Sequence, residues 1–234
     1  MNQIITLFDR MDAWRHLPNY QLERRADLFF SLYLAEVLEV KLGFPVQKQF
    51  VPEFPVRIGT IYPHIPINRS FKIDYLALSQ DTKKAIFVEL KTEGVSRRTK
   101  QDQYLLASCQ AGLHNLLGGI LEIFRVTNSK RKYFCLLEHL ENMGLLRIPD
   151  EMKKAMSSPT LRGVNELSQD IEIITNITEA RIVYIQPNGN DPGIISFADF
   201  SAVVKKYNDP LSQRFAQSLL EWADRKAGVK RVSS

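Results

Sequence analysis

The chain has 234 residues, of which 44% are hydrophobic and 24% charged, which is ordinary for a globular protein of one domain. No apolar run approaches the roughly 20 residues of a membrane span, and the N-terminal segment lacks the basic start and apolar stretch of a secretory signal. The net charge of +5 is compatible with a nucleic-acid partner without requiring one. We therefore expect a cytoplasmic protein with no membrane partner.

The first half of the chain predicts a helix followed by three strands. Apolar residues recur at three- and four-residue spacing over Leu22–Leu42, and Gly43 follows as a helix terminator. A strand is predicted within Val46–Ile58, where two prolines restrict it to an edge or a bend of a sheet. The segment Phe71–Lys91 predicts two more strands joined by a short polar turn.

The second half predicts further helices and strands. An amphipathic helix is expected from Arg97 to Arg125, a fourth strand over Tyr133–Leu137 and a fifth over Ala180–Gln186. A closing helix is expected over 210–227. The residues around 138–178 are predicted to be a helical insertion in a single domain spanning 1–234.

Two smaller features lie inside these elements. The pair Gly118-Gly119 is the expected position of a kink in the long helix. Cys109 and Cys135 stand alone in apolar surroundings, which predicts two buried thiols of a reducing compartment and neither a disulfide nor a metal site.

Acidic and basic residues mark the ends of the two central strands. Asp74 lies near the start of the first, and Glu89 and Lys91 lie at the end of the second. Residues two apart in a strand point to the same face, so Glu89 and Lys91 share one. If the strands pair as a hairpin, Asp74 is brought beside them. The apolar run Ala85–Val88 predicts a strand buried on both faces.

Two carboxylates and an amine at one sheet edge suit the metal-dependent hydrolysis of phosphodiesters. Mg²⁺ takes oxygen ligands, usually one or two carboxylates together with waters and substrate phosphate. The metal lowers the pKa of a bound water and stabilises the departing oxygen. A nearby lysine can orient the water and neutralise charge in the transition state.

Asp74 followed by Glu89-Leu90-Lys91 at the end of a hydrophobic strand resembles the core motif of the PD-(D/E)XK nuclease superfamily. Ile73 stands where many members have proline, at a position that varies within the superfamily. The resemblance implies an α/β, restriction-endonuclease-like core, with a central mixed sheet of about five strands flanked by helices. It also implies a DNA nuclease in which Asp74, Glu89 and the Leu90 carbonyl hold Mg²⁺ or Mn²⁺ and Lys91 is catalytic.

The resemblance further implies an acid contributed by the first helix. Glu23 and Asp27 are four residues apart and therefore share one helical face, so they are the preferred candidates for the catalytic site. Glu36 is the alternative, and Glu39 is a further acid of the same helix. The competing interpretation is that Glu23 pairs with a neighbouring arginine or caps the helix.

DNA is the expected partner, and a homodimer is the assembly that we consider. Arg97, Arg98 and Lys100 cluster at the start of the second helix, where cations oppose the helix dipole, so we expect them to contact phosphate. An ordinary solvated turn is the competing interpretation. Gln103 follows one turn later; some members contact DNA with a glutamine and a tyrosine four residues apart, but here Gln103 and Tyr104 are adjacent.

Two alternatives to a nuclease stay open. One is a non-catalytic nucleic-acid-binding or assembly module that keeps the fold, and the other is an unrelated α/β protein with an accidental Glu-x-Lys. The intact Asp74, Glu89 and Lys91 set favours the nuclease. A catalytic lysine further predicts that Lys91→Met severely reduces cleavage while leaving the melting temperature nearly unchanged.

Overall fold

The computed structural model describes residues 3–65, 67, 69–92 and 99–224. Its strands are β1 (Val51–Arg57), β2 (Ser70–Leu78), β3 (Lys84–Leu90), β4 (Leu146–Arg147), β5 (Glu172–Ile173), β6 (Glu179–Gln186) and β7 (Ile194–Ser196). Its helices are α1 (Gln3–Trp14), α2 (Leu22–Leu42), α3 (Ile58–Ile61), α4 (Thr99–Val126), α5 (Lys130–Asn142), α6 (Asp150–Ser157), α7 (Val164–Leu167), α8 (Phe197–Val204) and α9 (Pro210–Ala223), with a 3-10 turn at Ser168–Asp170. None of these helices is both long enough and apolar enough to cross a membrane.

A five-stranded sheet has the order β1-β2-β3-β6-β7, and β4 pairs separately with β5. The β1–β2 pair is antiparallel and the β6–β7 pair is parallel, so the sheet is mixed. The prediction of a mixed α/β chain with about five sheet strands flanked by helices is therefore confirmed. The first position in the order belongs to β1, which agrees with the edge position predicted from Pro52 and Pro55.

Backbone packing divides the chain into two compact units. The first comprises Met1–Val46, Val88–Arg98 and Val183–Ser234, and the second comprises Gln47–Phe87 and Thr99–Ile182.

The first unit is built around aromatic side chains. Phe30 of α2 lies 4.9 Å from Phe200 of α8 and 5.3 Å from Phe215 of α9, measured between ring centroids. Such edge-to-face contacts add to the stabilisation from burying large apolar side chains. The predicted bounds of α2 are confirmed, and Gly43 ends the helix in the left-handed conformation with a φ of 74°.

The second unit packs α4 against α3 and β1 at a glycine. A Cβ on Gly119 would lie 2.3 Å from the Thr60 hydroxyl oxygen and 3.2 Å from the Arg57 Cβ, so only glycine permits this approach. The kink predicted at Gly118-Gly119 is wrong. The non-helical residue in α4 is Gly112, with φ 75° and ψ 153°, a conformation that glycine adopts without steric penalty.

The fourth strand predicted over Tyr133–Leu137 is also wrong, because these residues belong to α5. The buried side chains of this helix are Phe134, Leu137 and Leu140, which are three residues apart and form one helical stripe. Cys135 lies on the exposed side, so the expectation of a buried thiol fails there, whereas Cys109 is half-buried. Both cysteines are free.

The sequence analysis did not predict α1, α3, β7 and α8, nor the short strands β4 and β5 inside the expected helical insertion. A local signal for α8 was present. The Ser196 side chain accepts a hydrogen bond from the Asp199 N–H at 3.1 Å, and the Asp199 carboxylate accepts one from the Ser196 N–H at 3.0 Å. This reciprocal pair is a capping box, and its serine and acid are spaced as that motif requires.

Candidate functional site

The acid and the lysine predicted at the end of β3 meet in the first unit. The Lys91 Nζ lies 2.5 Å from the Glu89 Oε1, so the two side chains form a hydrogen-bonded ion pair. This confirms that residues two apart at this strand end share a face. The pair is buried, with Glu89 1% exposed and Lys91 6% exposed.

Burial of the pair follows from the sequence around it. Ala85 to Val88 have no exposed surface, as predicted for a strand covered on both faces, and Leu90 and Thr92 are also buried. The Lys91 N–H donates to the Ile185 carbonyl on β6 at 2.8 Å. The backbone that carries the ion pair is therefore held by a hydrogen bond and by surrounding apolar side chains.

A buried ion pair has consequences for substitution at either position. Desolvating two charges offsets much of their attraction, but removing one partner leaves the other charge buried and uncompensated, which costs about 3–5 kcal/mol. The expectation that Lys91→Met leaves the melting temperature nearly unchanged is therefore replaced by an expectation of clear destabilisation. Lysine burial at this strand end is a property that sequence periodicity does not report.

Asp74 lies on β2 in the second unit and is half-buried. Its neighbours Ile73 and Tyr75 are buried and pair across the ladder with Phe54 and Pro52 of β1. The strand order places β2 next to β3, as expected for the predicted hairpin.

The polar turn that joins β2 to β3 is closed by its own side chains. The Ser79 N–H donates to the Lys84 carbonyl at 3.0 Å, and the Ser79 hydroxyl donates to Asp81 at 2.5 Å. The hydroxyl of Ser79, followed by the N–H of Lys83, lowers the pKa of Asp81 by hydrogen bonding to its carboxylate. The turn predicted within Phe71–Lys91 is therefore confirmed, with its register set locally.

The acids of α2 divide into two sets. Glu36 accepts a hydrogen bond from the Tyr207 hydroxyl at 2.6 Å and lies 3.4 Å from the Lys206 Nζ, and Glu39 accepts one from the Val46 N–H at 2.9 Å. Both therefore hold neighbouring segments of the first unit in place. This gives the alternative candidate Glu36 a packing role.

Glu23 and Asp27, the preferred candidates, are both half-buried. Glu23 lies in the first turn of α2, where an acid also interacts favourably with the helix dipole. One Asp27 carboxylate oxygen accepts a hydrogen bond from the Leu28 N–H at 2.7 Å. The choice of Glu23 or Asp27 as the first-helix acid therefore stays a prediction.

The expected phosphate-binding cluster is only partly described, because Arg97 and Arg98 lie outside the described residues. Lys100 is exposed, and its Nζ lies 5.7 Å from the centre of the Tyr104 ring. Gln103 is exposed on the same first turns of α4.

Sequence reasoning missed the aromatic surroundings of Lys100. The Tyr104 ring stacks on Phe71 with a centroid distance of 5.0 Å and lies 5.9 Å from the ring of Tyr62. All three rings are half-buried. Aromatic side chains next to a cation form a surface on which nucleic-acid bases can stack. The signal in the sequence was weak, because the three residues come from separate elements.

Two groups at the end of β3 are oxygen ligands of the kind that Mg²⁺ and Mn²⁺ prefer. They are the Glu89 carboxylate and the Leu90 carbonyl, and both lie in the first unit. Within the described ranges, no three or more His, Cys, Asp and Glu side chains are grouped to hold a metal ion. Mg²⁺ needs only one or two protein carboxylates with waters, and a site of that kind would not form such a group.

Comparison with known proteins identifies no relative: no family model, no curated protein and no solved structure matches the chain. The functional argument therefore depends on the residues and their geometry.

Proposed function

We propose that this chain is a metal-dependent nuclease that hydrolyses DNA phosphodiester bonds. The observation that carries the proposal is the buried Glu89–Lys91 pair at the end of β3, with 2.5 Å between the ammonium nitrogen and the carboxylate oxygen. Buried acid–lysine pairs are costly to desolvate and are therefore weak devices for stability. A buried acid–lysine pair at a strand end is therefore a candidate for a functional role.

Each residue has a distinct part in the proposed reaction. A divalent cation held by Asp74, Glu89 and the Leu90 carbonyl would activate a water and neutralise the departing oxygen. Lys91 would hold its positive charge beside the attacking water and the scissile phosphate, and Glu89 would orient Lys91 through their hydrogen bond. Asp74 is the second carboxylate that the resemblance assigns, and Asp27 or Glu23 would supply the further acid.

DNA contact is proposed along the start of α4. Lys100 and Gln103 are exposed there, and Arg97 and Arg98 precede them in sequence. Each phosphate neutralised on duplex DNA contributes about −0.9 to the slope of log affinity against log salt concentration. Replacing Arg97, Arg98 and Lys100 by alanine should therefore flatten this slope, and an unchanged slope would place the DNA-binding surface elsewhere.

The second candidate is a non-catalytic nucleic-acid-binding or assembly module. The specific observation in its favour is that the Lys91 ammonium is already paired with Glu89, as the amine of a structural lysine would be. The two candidates differ in whether phosphodiester cleavage depends on these carboxylates.

The deciding experiment is a cleavage assay with Mg²⁺ or Mn²⁺ on single-stranded, duplex and branched DNA and on RNA. Asp74→Asn keeps side-chain shape, removes the charge and should lower the rate by about 10²–10³-fold. Glu89→Gln should lower the rate as far, and its melting temperature is measured alongside because this change also unpairs the buried Lys91. Glu151→Gln, a change of the same kind at an exposed acid of α6, is the matched control and should retain activity. Undiminished metal-dependent cleavage by both test variants would contradict the assignment, and absence of cleavage by the wild type on every substrate would favour the binding module.

A further inference from the structure

An apolar groove of about 620 Å³ lies between α1 and α2 in the first unit. On each helix, four of the lining residues are spaced at i, i+3, i+4 and i+7, which places them on one helical face. These residues are Leu7, Arg10, Met11 and Trp14 on α1 and Arg25, Leu28, Phe29 and Leu32 on α2. Two helices that each present such a stripe to one groove offer a surface on which a third helix can pack.

The groove is open to solvent along its length. Leu28 is 72% exposed and Leu32 is 63% exposed, while Leu7 and Trp14 each keep more than two-fifths of their surface accessible. Single exposed leucines are common on proteins, but a contiguous apolar patch of this kind marks an interaction surface.

Two arginines stand at the groove. The Arg10 guanidinium lies 5.8 Å from the centre of the Trp14 ring, and the Arg25 guanidinium lies 5.7 Å from that of Tyr20. Both arginines are exposed, and neither forms an ion pair with any residue in the described part of the chain. The rings hold each guanidinium against the groove wall, with its charge available to a ligand.

We propose that this groove binds an amphipathic, acidic helix of a partner protein. The apolar side of such a helix would cover the exposed leucines and Trp14, and its flanking carboxylates would pair with Arg10 and Arg25 in the bidentate geometry that arginine favours. The proposal is independent of the nuclease assignment.

Three other occupants of the groove fit less well: the C-terminal segment of the chain, a second copy of the chain and a nucleic-acid backbone. The C-terminal segment 225–234 carries Arg225, Lys226, Lys230 and Arg231 and no acid, so the arginines would repel it. A symmetric contact between two copies through this groove would bring Arg10 and Arg25 of both copies onto one interface, where like charges are unfavourable. A phosphate backbone would match the arginines but leave the leucines uncovered.

The test uses two designed helical peptides with the same leucines at i, i+3, i+4 and i+7. One peptide carries glutamates beside the leucines and the other carries lysines. Binding to the full chain is followed by the fluorescence of Trp14, since the only other tryptophan, Trp222, is 2% exposed. We expect the acidic peptide to bind with a roughly micromolar dissociation constant and at least about tenfold more tightly than the basic peptide.

Substitutions in the groove test whether the peptide binds there. The double charge reversal Arg10→Glu with Arg25→Glu should reverse the preference between the two peptides. Leu28→Ser with Leu32→Ser should weaken binding of the acidic peptide by about tenfold or more, because these side chains are exposed and carry the apolar contact. Val40→Ser is the matched control, because Val40 is 62% exposed on α2 but does not line the groove.

Several outcomes would overturn the proposal. These are equal binding of both peptides, no binding of either at about 100 μM, or binding that the leucine variants do not weaken. A dimer in solution that Leu28→Ser with Leu32→Ser dissociates would instead indicate a second copy of the chain as the occupant. Acidic-peptide binding that appears only after removal of residues 225–234 would indicate the C-terminal segment. Displacement of the peptide by an oligonucleotide would indicate a nucleic acid.

Discussion

Removing either charge of the Glu89–Lys91 pair should destabilise the protein, and removing both should restore most of the loss. The two groups are 2.5 Å apart and almost completely buried, so neither charge can be rehydrated without unfolding. Lys91→Met and Glu89→Met should each cost about 3–5 kcal/mol. For a chain of this size, a loss of that magnitude lowers the melting temperature by about 6–20 °C.

The double variant, Lys91→Met with Glu89→Met, replaces the pair by apolar side chains of similar volume. Such replacements are often neutral or stabilising, because they also remove the cost of desolvating two ions. Urea unfolding of the wild type, the two single variants and the double variant completes a double-mutant cycle and yields the coupling energy directly. We expect a coupling of several kcal/mol.

The same strand provides a control at its other end. Lys84 lies 3.1 Å from Glu179, and both side chains are substantially exposed. Lys84→Met should therefore cost less than about 1 kcal/mol. Additive losses in the Glu89–Lys91 cycle, or equal losses for Lys84→Met and Lys91→Met, would refute the reasoning.

The double variant also separates stability from catalysis. If it melts near the wild-type temperature but cleaves no DNA, the pair acts in chemistry. If it is stable and cleaves normally, Glu89 and Lys91 are structural and the proposed site is wrong. Lys91→Met alone could not distinguish these cases, because loss of the fold would also abolish cleavage.

Three further predictions concern parts of the fold away from this pair. Ser196→Ala removes the side-chain cap of α8 and should lower the free energy of unfolding by about 0.5–2 kcal/mol in urea titrations. Ser196→Asp can also cap the helix and should retain most of this stabilisation. Burial raises the pKa of the half-buried Cys109 thiol to about 11, so Ellman's reagent should label exposed Cys135 quickly and Cys109 far more slowly, and Cys135→Ser should lack the fast phase. Burial acts to raise the pKa of Glu141, but the hydrogen bond from Lys153 and one from a backbone N–H outweigh it and hold that pKa below its ordinary 4.5. Because the folded-state pKa is the lower one, this stabilisation is present above pH 4.5 and is lost as the pH falls. Glu141→Gln should therefore narrow the difference in urea midpoint between about pH 7 and about pH 4, and an unchanged difference would contradict this account.

Local sequence was sufficient to predict elements that have a long periodic pattern or that are bounded by a clear terminator or turn. The helix over Leu22–Leu42 has six turns of consistent periodicity and a glycine terminator, so its bounds were predicted correctly. The strands of Phe71–Lys91 are separated by a turn that closes through its own side chains. The shared face of Glu89 and Lys91 follows from the two-residue repeat of a strand.

Tertiary structure decided the features for which the local pattern was short or ambiguous. The five residues Tyr133–Leu137 fit a strand as well as a helix, and burial of one stripe on α5 selected the helix. The four acids of α2 have similar local surroundings, and only contacts with residues outside the helix, Tyr207 for Glu36 and Val46 for Glu39, gave these two acids packing roles. The burial that makes Glu89 and Lys91 dependent on each other likewise comes from apolar side chains packed around them, which no two-residue repeat can report.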